Sequence, residues 1–308
     1  MSEHRMVIVP DGLQGERLDV GLSRLLGVSR TRAASLVTDG KVLVDGQVPV
    51  RSERLLSGAR LDVEIPGQRT EIEVEPEDVH GMTIVFEDAD IVVVDKPVGV
   101  AAHPSIGWSG PTVLGGLLGA GVRIATSGAQ ERRGIVSRLD VGTSGLMVVA
   151  KSEIAYSVLK NAFRNRQVGK TYHAVCQGHP DPMRGTIDAP IGRSTRHDYK
   201  FAVMDSGKPS ITHYDVEEMF PGAALMRIQL ETGRTHQIRV HFSEYGHPLV
   251  GDPLYGADPT MAKELGLVRQ WLHASGLTFD HPTAAKPVTF TTEFPDDLET
   301  ALARLRGE

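Results

Sequence analysis

Apolar positions recur first with a helical period and then with a strand period over residues 16–66. Leu18, Leu22, Leu25 and Leu26 fall on one face of a helix. A second helix is predicted after Val28, with Ser29 as its N-cap and Gly40 as its stop. Val-Leu-Val and Val-Pro-Val flank Asp45-Gly46, which predicts two short strands joined as a hairpin. Residues 59–66 alternate and predict one more strand. The segment therefore reads helix, helix, hairpin, strand, a small unit preceded by an N-terminal extension (1–15).

Residues 67–81 are acidic and Pro-containing, the pattern of a linker. From residue 82 a larger domain runs to residue 308. An apolar β-rich run over 84–95 ends in Lys96-Pro97 and a loop. Tyr156, Leu159 and Phe163 mark one face of a helix over 153–167. Residues 170–178, 210–219, 224–232 and 286–294 read as strands. Ile238, Phe242 and Tyr245 make a helical face stopped by Gly246, and 296–306 is a closing helix. Strands and helices do not alternate strictly. That favours an α+β domain on a mixed or antiparallel sheet over a doubly wound one.

Charge narrows the possible partners. The net charge of −6 gives no global field for a polyanion, so any nucleic-acid contact must rest on local patches. Two patches qualify. Between Gly15 and Arg60 eight Lys/Arg face five Asp/Glu, with Arg30 and Arg32 on the second helix and Lys41, Arg51 and Arg54 beyond it. Lys160, Arg164, Arg166 and Lys170 form a stretch without an acid. Each reads either as a solvated face or as a phosphate-contacting edge.

The single Cys, Cys176, allows no internal disulfide, which fits a reducing, cytoplasmic setting. The longest apolar stretches are too short to span a bilayer, and the first residues lack an apolar signal core. His236 and His241 are five apart, off a common helical face, and no Cys pair supports them, so no metal is expected. No Gly-rich dinucleotide fingerprint is present. No heptad or interface signal argues against a monomer.

The chemistry centres on residues 137–152, Ser-Arg-Leu-Asp-Val-Gly-Thr-Ser-Gly followed by an apolar strand. Asp140 reads as a turn residue or as a carboxylate held where it can react. A distant stretch, 231–241, places Arg234, His236, Arg239 and His241 in a strand-to-helix turn. If that turn packs beside the Asp140 loop, an Arg holds the carboxylate ionised and fixes its rotamer.

Residues 137–151 resemble the catalytic-loop motif of the pseudouridine synthases that modify large-subunit ribosomal RNA and some tRNAs, a motif usually written His-Arg-Leu-Asp, two variable residues, Thr-Ser-Gly. Residues 92–104, 170–178 and 230–256 resemble three further motifs of that family, in the same order. The helices and hairpin of 16–66, with their basic positions, resemble the S4 RNA-binding domain. Ser137 departs from the family's usual His; that residue is not the nucleophile.

The resemblance implies an isomerase converting uridine to pseudouridine in large-subunit (23S) ribosomal RNA, without a cofactor. It gives Asp140 the role of acting at C1′, as a nucleophile or beside an ionic or glycal intermediate. Tyr172 lies against the flipped uracil, stacks on it and helps remove the C5 proton. Arg239 pairs with Asp140, Arg138 helps expel the base, and Arg234 binds phosphate or braces the loop. Three other readings stay open: the same chemistry on tRNA, a non-catalytic ribosome-assembly factor, and a hydrolase releasing uracil.

Overall fold

The structure, a computed structural model, describes residues 3–28, 30–50, 53–65, 74–105, 107–195, 197 and 199–308. Ser29, Arg51, Pro66 and the side chain of Arg32 lie outside the described residues, as do 67–73 of the expected linker. The chain divides into two compact units, Met1–Glu71 and Ile72–Glu308.

The first unit contains β1 (Glu3–Ile8), α1 (Leu18–Leu26), α2 (Arg30–Thr38), β2 (Val42–Val44) and β3 (Arg60–Ile65). Leu18, Leu22 and Leu26 of α1 are buried with Ala33, Leu36 and Val37 of α2. Gly40 takes a positive φ of 68°, while Gly40 and Lys41 donate their N–H groups to Val37 and Leu36, so α2 ends as expected. Two expectations change. The N-terminal extension is part of the unit, because β1 pairs antiparallel with β3 over its whole length. The hairpin forms only its first strand: Asp45-Gly46 turns the chain, one bridge joins Val44 to Gln47, and β2 then pairs with β3. Pro49 has no N–H to continue a ladder.

The second unit is built on a nine-stranded sheet. Its elements are β4 (Thr83–Glu87), β5 (Ile91–Lys96), α3 (Val113–Gly119), β6 (Ser144–Ala150), α4 (Glu153–Arg164), β7 (Gly169–Gln177), β8 (Arg184–Asp188), β9 (Ile191–Arg193), β10 (Phe201–Val203), β11 (Ile211–Phe220), β12 (Ala223–Leu230), α5 (Gln237–Glu244), α6 (Pro259–Leu265), β13 (Leu272–Asp280), β14 (Pro287–Thr291) and α7 (Asp296–Arg306). The sheet runs β4-β5-β6-β13-β7-β12-β11-β8, with β14 paired to β13, while β9 and β10 form a separate two-stranded ribbon. The pairings are antiparallel except β13 with β6, so the expected mixed α+β architecture is present.

Periodicity did not reveal β13. Its residues Leu272–Asp280 include His, Ser and Gly, yet it lies between β6 and β7 and pairs with both. The strand is specified by neighbours on two sides rather than by its own alternation.

Residues 74–80 are not a free linker. Val74 and Val79 are buried with Val92, Val94, Val113 and Leu117, and Glu77 donates its N–H to Gly115. This explains the glycines of α3. A Cβ on Gly119 would lie 2.1 Å from the Glu77 carbonyl oxygen, so only Gly admits the strap so closely.

Candidate active site

Sheet order brings the site together. Asp140 lies in the loop entering β6, Tyr172 lies on β7, and β13 runs between those strands. After β12 the chain turns into α5, which carries Arg239 on its buried side. Residues far apart in sequence thus meet above one part of the sheet.

The Asp140 loop is pinned at several points. Thr143 donates its N–H to the Asp140 carbonyl, and Gly99 donates to the Val141 carbonyl. Gly145 has φ +117° and lies so close to β13 that a Cβ would sit 2.3 Å from the Ala274 oxygen. The glycine in this motif therefore serves strand packing directly behind the loop.

Asp140 Oδ2 lies 3.5 Å from Arg239 Nη1 and 3.8 Å from His236 Nε2. The proximity expected from sequence is present. Arg239, however, has a stronger partner: its Nε and Nη2 donate to Asp252 at 2.7 and 2.9 Å. The Asp252 side chain is fully buried and also accepts the N–H groups of Leu254 and Tyr255. The Tyr255 ring lies 5.0 Å from the guanidinium centre. Asp252 and Tyr255 therefore hold the arginine by charge, fork geometry and ring contact, and its third nitrogen faces Asp140.

Lys96 is fully buried beneath this region. Its Nζ donates to the carbonyls of Pro97 and Val100 at 2.9 and 2.8 Å, fixing the loop whose Gly99 holds Val141. Burial pushes the Lys96 ammonium down to about 7, against the opposing pull of Asp140.

Asp140, Tyr172, Arg239, His236 and Arg138 line a hollow of about 60 Å³. Arg138, Leu139, Tyr172, Gly233 and Arg234 also line a neighbouring cleft of about 580 Å³, so the two spaces adjoin. Burial, assisted by the charge of Asp140, drives the Tyr172 phenol well above the ordinary tyrosine range. A raised phenol pKa favours stacking and hydrogen bonding by Tyr172 in the free site.

The cleft is basic. Arg132, Arg138, Lys160, Arg164, Arg166, Lys170 and Arg234 line it, with Glu231 as the carboxylate among its lining residues. Burial pushes the Lys170 ammonium down to about 8, helped by repulsion from Arg166 and Arg234. An anion in the cleft would relieve that repulsion. Arg138 contacts the Thr235 hydroxyl, Arg234 donates to the Pro209 carbonyl, Arg164 donates to Asn161, and Arg166 pairs with Glu231 at 3.1 Å. The local patch expected around residues 160–170 thus faces the candidate site, whatever the net charge. Ser137 also lines this cleft.

In the first unit Arg54 donates to the Gly15 carbonyl, whereas Arg30 and Lys41 have acidic partners. Arg30 pairs with Asp19 at 2.9 Å and Lys41 with Glu64 at 2.7 Å. A phosphate there would have to compete with those carboxylates. His241 is buried between the Thr212 hydroxyl and the Ala189 carbonyl, a packing role away from Asp140.

Sequence reasoning missed Asp252, Tyr255, Lys96 and the position of His236. The detectable signal was an Asp within the apolar stretch Pro248–Tyr255, where a carboxylate needs a buried partner.

One carboxylate beside an arginine and a half-buried tyrosine, open to a strongly basic cleft, is an arrangement suited to an enzyme that works on a nucleic-acid chain. The chain belongs to the RNA pseudouridylate synthase family, whose model matches residues 90–244; the S4 domain model matches residues 16–49. It is 58% identical over 304 residues to an uncharacterized RNA pseudouridine synthase of Mycobacterium bovis, covering 99% of each chain. It is 41% identical to ribosomal large subunit pseudouridine synthase D of Pseudomonas aeruginosa, over 99% of this chain and 96% of that one. The structure is also similar to human RNA pseudouridylate synthase domain containing 1, with TM-score 0.59 and 30% identity over 74% of this chain and 90% of that one. The protein is an RNA pseudouridine isomerase.

Proposed function

We propose that this enzyme converts uridines of large-subunit (23S) ribosomal RNA to pseudouridine, with Asp140 acting at C1′ of a flipped-out nucleotide. The observation that carries the chemistry is Asp140 itself, aimed by Arg239 into a hollow beside Tyr172. The substrate reading rests on relatives named for the large ribosomal subunit and on the S4 domain, which suits a large structured RNA.

The RNA backbone lies along the cleft, where Arg164, Arg166, Lys170 and Arg234 meet phosphates. The target base leaves its stack at a cost of about a few kcal/mol, and Arg138 at the mouth stacks in the gap. Tyr172 receives the uracil face. As the N1–C1′ bond breaks, its electron pair stays on uracil N1, and a carboxylate oxygen of Asp140 engages the electron-poor C1′. The base turns within the hollow, C5 bonds to C1′, the C5 proton leaves and N1 takes up a proton. No oxidation state changes in this sequence, so the chemistry calls for no redox cofactor. The enzyme acts in the cytoplasm as a monomer, with no membrane partner.

Mapping pseudouridines in ribosomal RNA and tRNA from cells with and without the gene tests the substrate. Loss of defined large-subunit positions is expected. Loss confined to tRNA, or no loss at all, would overturn the ribosomal assignment.

A further inference from the structure

His236 occupies the turn between β12 and α5 in the left-handed conformation, with φ 57° and ψ 20°. Its Nδ1 lies 2.7 Å from the Tyr255 hydroxyl. That hydroxyl already accepts the Phe201 N–H at 3.1 Å, and burial keeps the Tyr255 phenol protonated. The phenol's own proton is then available to bridge to Nδ1, an arrangement in which Nδ1 accepts and the imidazole proton sits on Nε2.

That Nε2 faces Asp140 Oδ2 at 3.8 Å, the same oxygen that Arg239 approaches at 3.5 Å. Burial lowers the pKa of His236, so the ring is a neutral N–H donor near neutral pH. The separation exceeds a hydrogen bond and closes with a small turn of the carboxylate. Catalytic contacts are often long before substrate arrives.

We propose that His236 is a positioning residue for Asp140: its Nε2–H, set by Tyr255, joins Arg239 on Oδ2 and leaves Oδ1 facing the sugar. This rests on the reading of Asp140 as the group acting at C1′. The Phe201 backbone and ring, the latter 5.7 Å from the His236 ring, couple the β9–β10 ribbon to the same setting.

Substitutions separate this role from a merely conformational one. The amide nitrogen of His236→Gln reaches the place of Nε2, whereas that of His236→Asn lies near Nδ1. Asn, however, tolerates the left-handed backbone better. A positioning role therefore predicts Gln above Asn, and a conformational role predicts the reverse. Single-turnover rates at saturating enzyme are measured on an unmodified large-subunit ribosomal RNA transcript, together with RNA affinity. His236→Asn and His236→Phe should lose about ten- to a hundredfold in rate, as expected for a lost hydrogen bond to a charged group. His236→Gln should recover most of that loss, and affinity should hold throughout. Asn at or above Gln, or a loss confined to affinity, overturns the proposal.

The ¹⁵N spectrum of the wild-type imidazole gives a check that does not depend on how the variants fold. A proton on Nε2 is expected, with tautomer mixing in Tyr255→Phe; a proton on Nδ1 overturns the proposal. Asp140→Asn is run in parallel. If it stays active, the Asp140 reading fails; if it is inactive and Asn exceeds Gln at 236, only the His236 assignment fails.

Discussion

Arg239 binds Asp252 with two nitrogens at 2.7 and 2.9 Å and reaches Asp140 with a third at 3.5 Å. One arginine thus links the fully buried carboxylate of Asp252 to the partly open carboxylate proposed to act at C1′. The asymmetry has a physical basis. The close pair holds the guanidinium in a fixed plane, and the longer contact leaves Asp140 able to move toward a substrate.

Substitution of Arg239 should follow the order wild type, Lys, Ala in activity. Lys keeps charge and loses the fork; Ala leaves Asp252 buried without its counter-charge and Asp140 unaimed. Ala should lower the single-turnover rate by about a hundredfold or more, corresponding to roughly 3 kcal/mol of barrier. It should also cost about 3–5 kcal/mol of stability, because a buried pair has lost one member. Asp252→Asn should lower both activity and urea stability, although Asp252 never meets the RNA. Normal stability of both variants would show that the pair is not a buried anchor.

Asp140→Asn keeps the shape and removes the charged oxygen. The variant should bind RNA with wild-type affinity and form no pseudouridine, measured by gel shift and by tritium release from C5-labelled uridine. Product at the wild-type rate would remove Asp140 from its role.

The cleft should show its charge in salt and pH dependence. Replacing Arg164, Arg166 and Lys170 together by Gln should make the log affinity against log salt slope shallower by about 2–3, from roughly 0.9 per phosphate contact. The Lys170 ammonium is pushed down to about 8 from 10.5. Between those values the unfolded chain binds more protons than the folded one, so this group makes stability rise with pH there. RNA favours the charged ammonium, so affinity should fall as pH rises through about 8, and Lys170→Gln should flatten that fall. An unchanged salt slope in the triple variant would place the RNA elsewhere.

Truncation distinguishes a linker from a strap. A chain beginning at residue 72 should fold and keep activity on short RNA at high concentration, with weaker binding to long ribosomal RNA. A chain beginning at residue 82 loses Val74 and Val79, both buried in the core of the second unit. At about 1.5–3 kcal/mol for each buried apolar side chain, its midpoint in urea should drop clearly. Equal stability of the two chains would mean that 74–80 contributes no packing.

The sequence by itself determined the elements whose own pattern suffices. The leucine face of α1, the Gly40 stop, Tyr156 and Leu159 on α4, and the helix after Arg234 all follow local periodicity and local backbone preference, which act over a few residues. It also singled out the candidate reactive groups, because Asp140, Tyr172 and Arg239 lie in ordered motifs. Tertiary structure decided what depends on distant partners. β1 and β13 exist as strands because β3, β6 and β7 supply their hydrogen bonds, and residues 74–80 pack because α3 is lined with glycine. The site was legible as a set of residues but not as a hierarchy. That Arg239 belongs first to Asp252, that burial raises the Tyr172 phenol, and that His236 turns its Nε2 toward Asp140 are consequences of burial and direction. Neither is written in spacing along the chain: both arise only when the sheet closes water out and fixes which atoms are left to face one another.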